Sequence, residues 1–264
     1  MIYHFATQNE SFRATHGGTK IIRENFKKII FFFFIFSAPV FPIRPADYRE
    51  FITTAQRLAG NRQEAFLFEY VSNYAGNFHS QPALSKNLLE LSLQIYNAEL
   101  KLSFLRIAGT FSGETQYAHL IGLEEGRILD FSGRYDEALQ KYLSSNTKIS
   151  SFYAGRIFYM KGDYYKAKEE LEKFIKLYKR EDDFSSRAYL TLAWVSFYLK
   201  EYRVCYDYSV KSNMQGAERT VLLYYLYSAT GEHARAKRVL SVIKREYADS
   251  PEAALILQRA ANTR

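Results

Sequence analysis

The sequence of 264 residues predicts an all-α protein built as a solenoid of antiparallel helix pairs. Three observations support this prediction. Glycine and proline are scarce, at 13 and 5 residues, so the chain has little material for the turns of an all-β fold. Apolar residues recur at helical spacing from Asp47 onward, in stretches of roughly 12 to 20 residues separated by short breaks. A pattern of small and aromatic residues also repeats around several of these breaks.

The N-terminal segment, residues 1–46, has the features of a leader. Lys27 and Lys28 precede an apolar run, residues 29–41, which has the length of a signal-peptide core and is shorter than the ~20 residues of a transmembrane helix. We therefore expect export, with residues 47–264 in the periplasm or associated with the envelope; the alternative is that the apolar run forms a buried core helix. Cleavage and retention as a short inner-membrane anchor both stay open, because the stretch before the lysine pair is long and the cleavage site is poor.

The repeat is clearest in two segments, "GRILDFSGRYDEA" and "GRIFYMKGDYYKA". Each holds two glycines seven residues apart, a tyrosine two residues after the second glycine and an alanine three residues further on: Gly126, Gly133, Tyr135 and Ala138, then Gly155, Gly162, Tyr164 and Ala167. Small residues let two helices approach closely, so we expect the first glycine of each set to face its alanine. We expect the second glycine to end the first helix in the left-handed conformation.

Looser copies of the pattern centre on Gly60, Lys200 and Gly231. "KEYRVC" and "GEHARA" keep the turn residue, a ring two residues on and a small residue after it, whereas "GNRQEA" keeps Gly60 and Ala65 but has Arg62 in place of the ring. The sequence thus predicts helix pairs at 119–147, 148–181, 186–213 and 217–248, with a degenerate pair at 47–76.

These residue types and their order resemble the tetratricopeptide repeat family, whose unit is a helix–turn–helix of 34 residues. The resemblance implies an open stack of helix pairs that binds a protein partner and has no catalytic activity. The phrase "REYADSPEAA" near the C-terminus is similar to bacterial envelope members of the family. The resemblance therefore implies a scaffold of the cell envelope.

Two further segments are predicted to be helical without fitting the repeat. Residues 84–108 contain no Gly or Pro and indicate one long helix or two abutting ones. The C-terminal helix is expected to start at Pro251, with Ser250 as its N-cap and Glu252 at its positive end. In an open stack, such a last helix covers the apolar face of the pair before it.

The sequence offers no residue set on which catalysis could rest. Cys205 is the only cysteine, which excludes a disulfide framework and a cysteine-built metal site. None of the five histidines is three or four residues from another, and the nucleotide-binding and serine-hydrolase motifs are absent. We therefore predict a non-enzyme without cofactor or metal.

The charge of the chain does not indicate a nucleic-acid partner. Residues 1–46 hold six of the 36 Lys and Arg residues and two of the 28 acidic ones, so the leader carries half of the net charge of +8. The remaining excess is spread over more than two hundred residues, and no cluster of Lys and Arg alternates with rings. We expect no nucleic-acid partner, and membrane contact only through the N-terminal segment.

The first helices of successive pairs should line the inner groove of the stack. The candidate partner-binding residues there are Arg127, Arg156, Tyr159, Trp194, Tyr198 and Tyr225. Arginine and aromatic residues dominate the energetics of many interfaces, and a basic row would attract an acidic or carboxylate-bearing segment. The same rings could instead pack between helices. An alternative function is that of an accessory protein of a solute transporter, with a small ligand in an aromatic-lined pocket.

Overall fold

The computed structural model describes residues 44–113 and 116–262. These residues form 13 α-helices and one short 3-10 helix, with no β-strand among them, which confirms the all-α prediction. None of the described helices is long and apolar enough to cross a membrane. Most of the predicted leader, residues 1–43, lies outside the described residues, and this part includes the apolar run 29–41.

The chain divides into two compact units between Phe111 and Ser112. The helices of the first unit are α1 (Tyr48–Gly60), α2 (Glu64–Tyr74), a 3-10 helix (Ala75–Phe78), α3 (Leu84–Ser92) and α4 (Ala98–Thr110). Helix α1 begins where the Asp47 carboxylate accepts the backbone N–H of Glu50 at 2.8 Å. The core of the first unit includes Phe51 of α1, which stacks on Tyr70 of α2 with ring centroids 5.4 Å apart.

The segment 84–108 forms two helices with a break at 93–97, so the second of the two sequence alternatives is the correct one. Asn97 starts α4 by accepting the N–H of Leu100 at 2.9 Å. The Glu64 carboxylate of α2 accepts the N–H groups of Tyr96 and Asn97 at 2.8 and 3.2 Å. The break is therefore fixed by a cap and by a side chain from the preceding pair.

The second unit is a stack of four antiparallel helix pairs followed by one more helix. Its helices are α5 (Gln116–Phe131), α6 (Tyr135–Ser145), α7 (Lys148–Met160), α8 (Tyr164–Leu177), α9 (Asp183–Tyr198), α10 (Tyr202–Lys211), α11 (Ala217–Ala229), α12 (His233–Glu246) and α13 (Ala254–Asn262). The four pairs, α5–α6, α7–α8, α9–α10 and α11–α12, match the four pairs predicted from the repeat.

Five helix pairs turn through the same hydrogen-bonded motif. A residue with positive φ follows the first helix, and the N–H of the next residue donates to the carbonyl five positions earlier at 2.8 to 3.0 Å. The residues with positive φ are Arg62, Gly133, Gly162, Lys200 and Gly231. The assignment of Gly60 as a turn glycine was wrong, because Gly60 is the last residue of α1 and Arg62 takes the left-handed conformation at φ 57°.

The two helix glycines of the repeat are close-packing positions, but their neighbours differ from the prediction. A Cβ atom at Gly126 would lie 2.6 Å from the Tyr142 ring, and one at Gly155 would lie 2.6 Å from Cγ of Leu171. The predicted partners, Ala138 and Ala167, are fully buried one turn earlier on the same second helices. Each glycine therefore makes room for a large side chain of the second helix.

The C-terminal helix starts later than predicted. Residues 251–253 form a turn, α13 starts at Ala254, and the Ser250 hydroxyl accepts the N–H of Ala253 at 3.3 Å. Ala253 and Ile256 are buried against Val221 of α11 and Ile243 of α12. The last helix thus covers the fourth pair, as expected for the end of an open stack.

Candidate protein-binding face

The turn motif gives the four pairs of the second unit a common register. Because the four turns have the same hydrogen bonds, residues at the same offset from the left-handed residue occupy equivalent places on the first helices. Six residues before that position stand Arg127, Arg156, Trp194 and Tyr225. Four of the six predicted site residues therefore form one row, which is basic in the first two pairs and aromatic in the last two.

The four predicted rings form one continuous series of contacts across three first helices. Tyr198 of α9 lies 6.2 Å from Tyr159 of α7 and 6.2 Å from Trp194, and Trp194 lies 6.3 Å from Tyr225 of α11, measured between ring centroids. Two rings that were not among the predicted site residues complete the series: Tyr164 stacks on Tyr198 at 4.6 Å, and Phe197 contacts Trp194 at 6.1 Å.

We call these six residues the aromatic surface: Tyr159, Tyr164, Trp194, Phe197, Tyr198 and Tyr225. Tyr198 is 37% exposed and the others are partly buried, so the rings pack against one another and still reach the surface. Burial, with the neighbouring Tyr198 hydroxyl, raises the pKa of Tyr159 well above its usual range, so both hydroxyls stay neutral donors and acceptors at physiological pH.

Arg156 is held by a buried carboxylate. Its guanidinium donates to Asp130 of α5, which is nearly buried and also accepts the Tyr142 hydroxyl at 3.3 Å. Burial, followed by the charge of Asp130, raises the pKa of Tyr142 beyond its usual range. Tyr142 stacks on Tyr153 at 5.1 Å, and Arg156 lies over that same ring. Arg156 therefore links the first pair to the second.

Arg127 has a looser environment than Arg156. Its side chain is 55% exposed and forms an ion pair with Glu124 on the same helix at 3.1 Å. A pair of this kind at the surface contributes little to stability and leaves most of the guanidinium donors facing water. The structure therefore gives the two arginines of the row different roles, although their sequence positions are equivalent.

A carboxylate that was not predicted from the sequence lies beside the aromatic surface. Glu218, in the first turn of α11, stands one helical turn before Val221, which belongs to the apolar cluster against which Trp194 and Tyr225 pack. Its carboxylate interacts electrostatically with the Trp194 indole. Partial burial of the carboxyl group raises the pKa of Glu218. The negative charge of Glu252 raises this pKa further, whereas the positive charge of Arg187 lowers it. The residue nevertheless remains exposed. The helical spacing of the sequence could have revealed Glu218 as a candidate, because this residue stands one turn before the buried Val221 and Leu222 and therefore on the same face of α11.

Other kinds of site find little support in the described part of the chain. No group of three or more His, Cys, Asp and Glu residues there could hold a metal ion. Cys205 is fully buried, and burial raises the pKa of its thiol to about 12, which keeps it protonated and unreactive. An open cleft between the ends of α8 and α10 and the start of α9 is lined mainly by polar and charged residues, among them Lys179, Arg180 and Asp182, and by none of the predicted rings.

Solved structures resemble this fold over most of the chain. The match to PilF of Pseudomonas aeruginosa has a TM-score of 0.54 at 16% identity and covers 79% of this chain and 96% of PilF. The match to PilW, described as a widely conserved type IV pilus biogenesis factor, has a TM-score of 0.51 at 15% identity and covers 80% of this chain and 100% of PilW. The fold is a tetratricopeptide-repeat solenoid. No protein-family model matches the sequence, and no curated protein matches it either.

Proposed function

We propose that this chain is a non-catalytic scaffold of the bacterial cell envelope that binds a segment of a protein partner along the first helices of its second unit. The observation that carries the proposal is the aromatic surface. Rings from α7, α8, α9 and α11 meet there in one unbroken series, with Tyr198 the most exposed of the predicted members.

The residue types of this face suit protein recognition. Partly exposed Tyr and Trp rings offer large apolar contact area together with a hydroxyl or N–H group, and they lose little conformational entropy on binding. Because each ring here is already held by its neighbours, the surface is organised before a partner arrives. Arg127, at the basic end of the row, is placed to pair with an acidic or carboxylate-bearing residue of the same segment.

The proposed location in the envelope has two supports. The sequence of residues 1–46 has the features of a signal peptide or short membrane anchor, with Lys27 and Lys28 before the apolar run. PilW, one of the solved structures with this fold, is a pilus biogenesis factor. We therefore propose that the helical units act outside the cytoplasm, associated with the envelope.

Photo-crosslinking from the aromatic surface tests this function. The full-length chain, produced in its native host with a photoreactive phenylalanine analogue at Tyr198, should crosslink to a discrete envelope protein that mass spectrometry can identify. The matched control carries the same analogue at Tyr206 of α10, which is 45% exposed and outside the aromatic surface. Tyr206 should give no such product, because a segment bound along the first helices would not reach it.

Adding Trp194→Ala should then reduce the Tyr198 crosslink by about tenfold or more, as expected for the loss of a central ring at an interface. Equal products from Tyr198 and Tyr206 would contradict the proposal, since the surface would then have no preference for the partner. A transporter-associated role with a small ligand predicts a different result: no protein crosslink from Tyr198, and thermal stabilisation of the chain by a metabolite fraction.

A further inference from the structure

The charges along the first helices of the second unit are unevenly satisfied. At the first two pairs, both arginines already have carboxylate partners, Glu124 for Arg127 and the nearly buried Asp130 for Arg156. At the fourth pair, the groups that act on Glu218 are, in order of effect, the carboxylate of Glu252, the cation Arg187 and the neutral indole of Trp194. Negative charge is therefore the less compensated charge at the aromatic end of the row.

The rings around Glu218 add a second preference for a cation. The faces of Trp and Tyr rings carry negative electrostatic potential, and Lys or Arg side chains bind over them within about 6 Å. Trp194 joins the two features, because it packs against the cluster of Val221, one helical turn after Glu218 on α11, while its ring lies 6.2 Å from Tyr198 and 6.3 Å from Tyr225. The charge of Glu218 also acts on Tyr159, so the carboxylate lies within electrostatic reach of the ring on the second pair.

We propose that Glu218 and the aromatic surface together bind a Lys or Arg side chain of the partner segment. This inference rests on the proposed function and deepens it by assigning the chemistry of one contact. A guanidinium or ammonium group can lie over the rings of Trp194 and Tyr198 and donate hydrogen bonds to the carboxylate of Glu218, which is an exposed residue. An apolar residue beside the cation would contact the other rings.

The same contact gives the bound segment a direction. Its cationic residue lies at the third and fourth pairs, and its acidic residue lies toward Arg127 at the first pair. A segment that entered in the opposite direction would place its carboxylate against Glu218 and its cation against Arg127, and both contacts would be repulsive. The row therefore selects both the composition of the segment and its orientation.

Selection from a random peptide library tests the assignment even while the partner is unidentified. The full-length chain is immobilised and exposed to displayed ten-residue random peptides, and the enriched peptides are synthesised. Binding is followed through the fluorescence of Trp194, the single tryptophan of the chain, which lies within the proposed site. The variants are Glu218→Gln and Tyr198→Ala, with Glu246→Gln on α12 as the matched control, because Glu246 is an exposed glutamate outside the site.

We expect the enriched peptides to carry Lys or Arg next to an apolar residue and to bind Glu218→Gln at least about tenfold more weakly, with Glu246→Gln unchanged. Enriched peptides that are neutral or acidic and that lose affinity only with Tyr198→Ala would overturn the cation assignment while leaving the proposed function intact. If no peptide is enriched, or if the enriched peptides bind Tyr198→Ala normally, both the assignment and the binding face are wrong.

Discussion

The α1–α2 pair of the first unit and the α7–α8 pair of the second turn the chain in the same way with different residues. In one, Arg62 adopts φ 57° and the N–H of Gln63 donates to the carbonyl of Leu58 at 2.9 Å. In the other, Gly162 adopts φ 78° and the N–H of Asp163 donates to the carbonyl of Phe158 at 3.0 Å. The hydrogen-bonded geometry of the turn is therefore more constant than the residue that adopts it.

Packing between the two helices follows the same rule. Counted from the left-handed residue, Ala55, Leu67 and Val71 of α1–α2 stand where Gly155, Ala167 and Leu171 stand in α7–α8. All of these residues are buried. The α1–α2 pair has the larger residue at the first two places, Ala55 and Leu67, and the smaller residue at the third, Val71. A larger side chain at one place is therefore balanced by a smaller one at another, and the space between the helices stays filled.

The largest change in stability is expected from exchanging the residues at the second of these places, which is Leu67 in α1–α2 and Ala167 in α7–α8. Leu67→Ala installs the alanine that the regular repeat has, yet it should lower the free energy of unfolding by about 2–5 kcal/mol, because it leaves a cavity between α1 and α2. The reverse change, Ala167→Leu, should cost about 1–3 kcal/mol through overpacking. Urea unfolding of the full-length chain, followed by circular dichroism, measures both.

Ala65→Gly serves as the control for Leu67→Ala, because Ala65 is exposed although it was the predicted small packing residue of this pair. It should cost only the ~1 kcal/mol of helix propensity. If Leu67→Ala were as mild as this control, the residues at the equivalent places would be independent of one another, and the exchange of volume described above would be wrong.

A change in stability of intermediate size should distinguish the two arginines of the row, Arg127 and Arg156. Arg156→Ala leaves the nearly buried Asp130 without its cation and should cost about 1–3 kcal/mol of unfolding free energy. Arg127→Ala removes only an exposed pair with Glu124 and should change stability by less than about 0.5 kcal/mol. Thermal and urea unfolding of the two single variants make the comparison.

The double variant Asp130→Asn with Arg156→Ala identifies the cause. Because the neutral amide no longer needs a cation, the double variant should lose less stability than the sum of the two single variants. Additive losses would mean that Arg156 stabilises the fold through packing over Tyr153 alone. Equal stability of the Arg127→Ala and Arg156→Ala variants would mean that the contact with Asp130 contributes nothing measurable.

The smallest effect concerns the turns themselves. Lys200→Gly should raise the free energy of unfolding by about 0.5–1 kcal/mol, because the strain of a left-handed side-chain residue, about 1–2 kcal/mol, exceeds the extra entropy that glycine loses on folding. Arg62→Gly should gain less, because it also removes the guanidinium that lies over the Tyr96 ring at 5.6 Å. Gly162→Lys should destabilise by a similar amount. Unfolding curves of the three variants provide the measurement, and a destabilising Lys200→Gly would show that the lysine side chain has a stabilising contact of its own.

The sequence alone determined the helices, their pairing and most of the turns. Gly133, Gly162, Lys200 and Gly231 were found because a helix end depends on residues within about one turn of one another, and such local preferences are visible in spacing. The equivalence of Arg127 and Arg156, and the presence of Trp194 and Tyr225 on the same face, followed from the same register. The turn at Arg62 was misplaced because the spacing favoured Gly60, although the backbone accepts a non-glycine residue in this motif.

Only the tertiary structure decided which side chains meet. Gly126 and Gly155 face Tyr142 and Leu171, one turn beyond the expected alanines, because the relative rotation of two helices sets the contact. Arg156 and Asp130 are 26 residues apart, and no local pattern distinguishes this arginine from Arg127. Glu218 likewise joins the aromatic surface through Trp194 of the preceding pair. Contacts of this kind depend on how whole helix pairs pack, and that packing is the sum of many small contacts distributed along the chain.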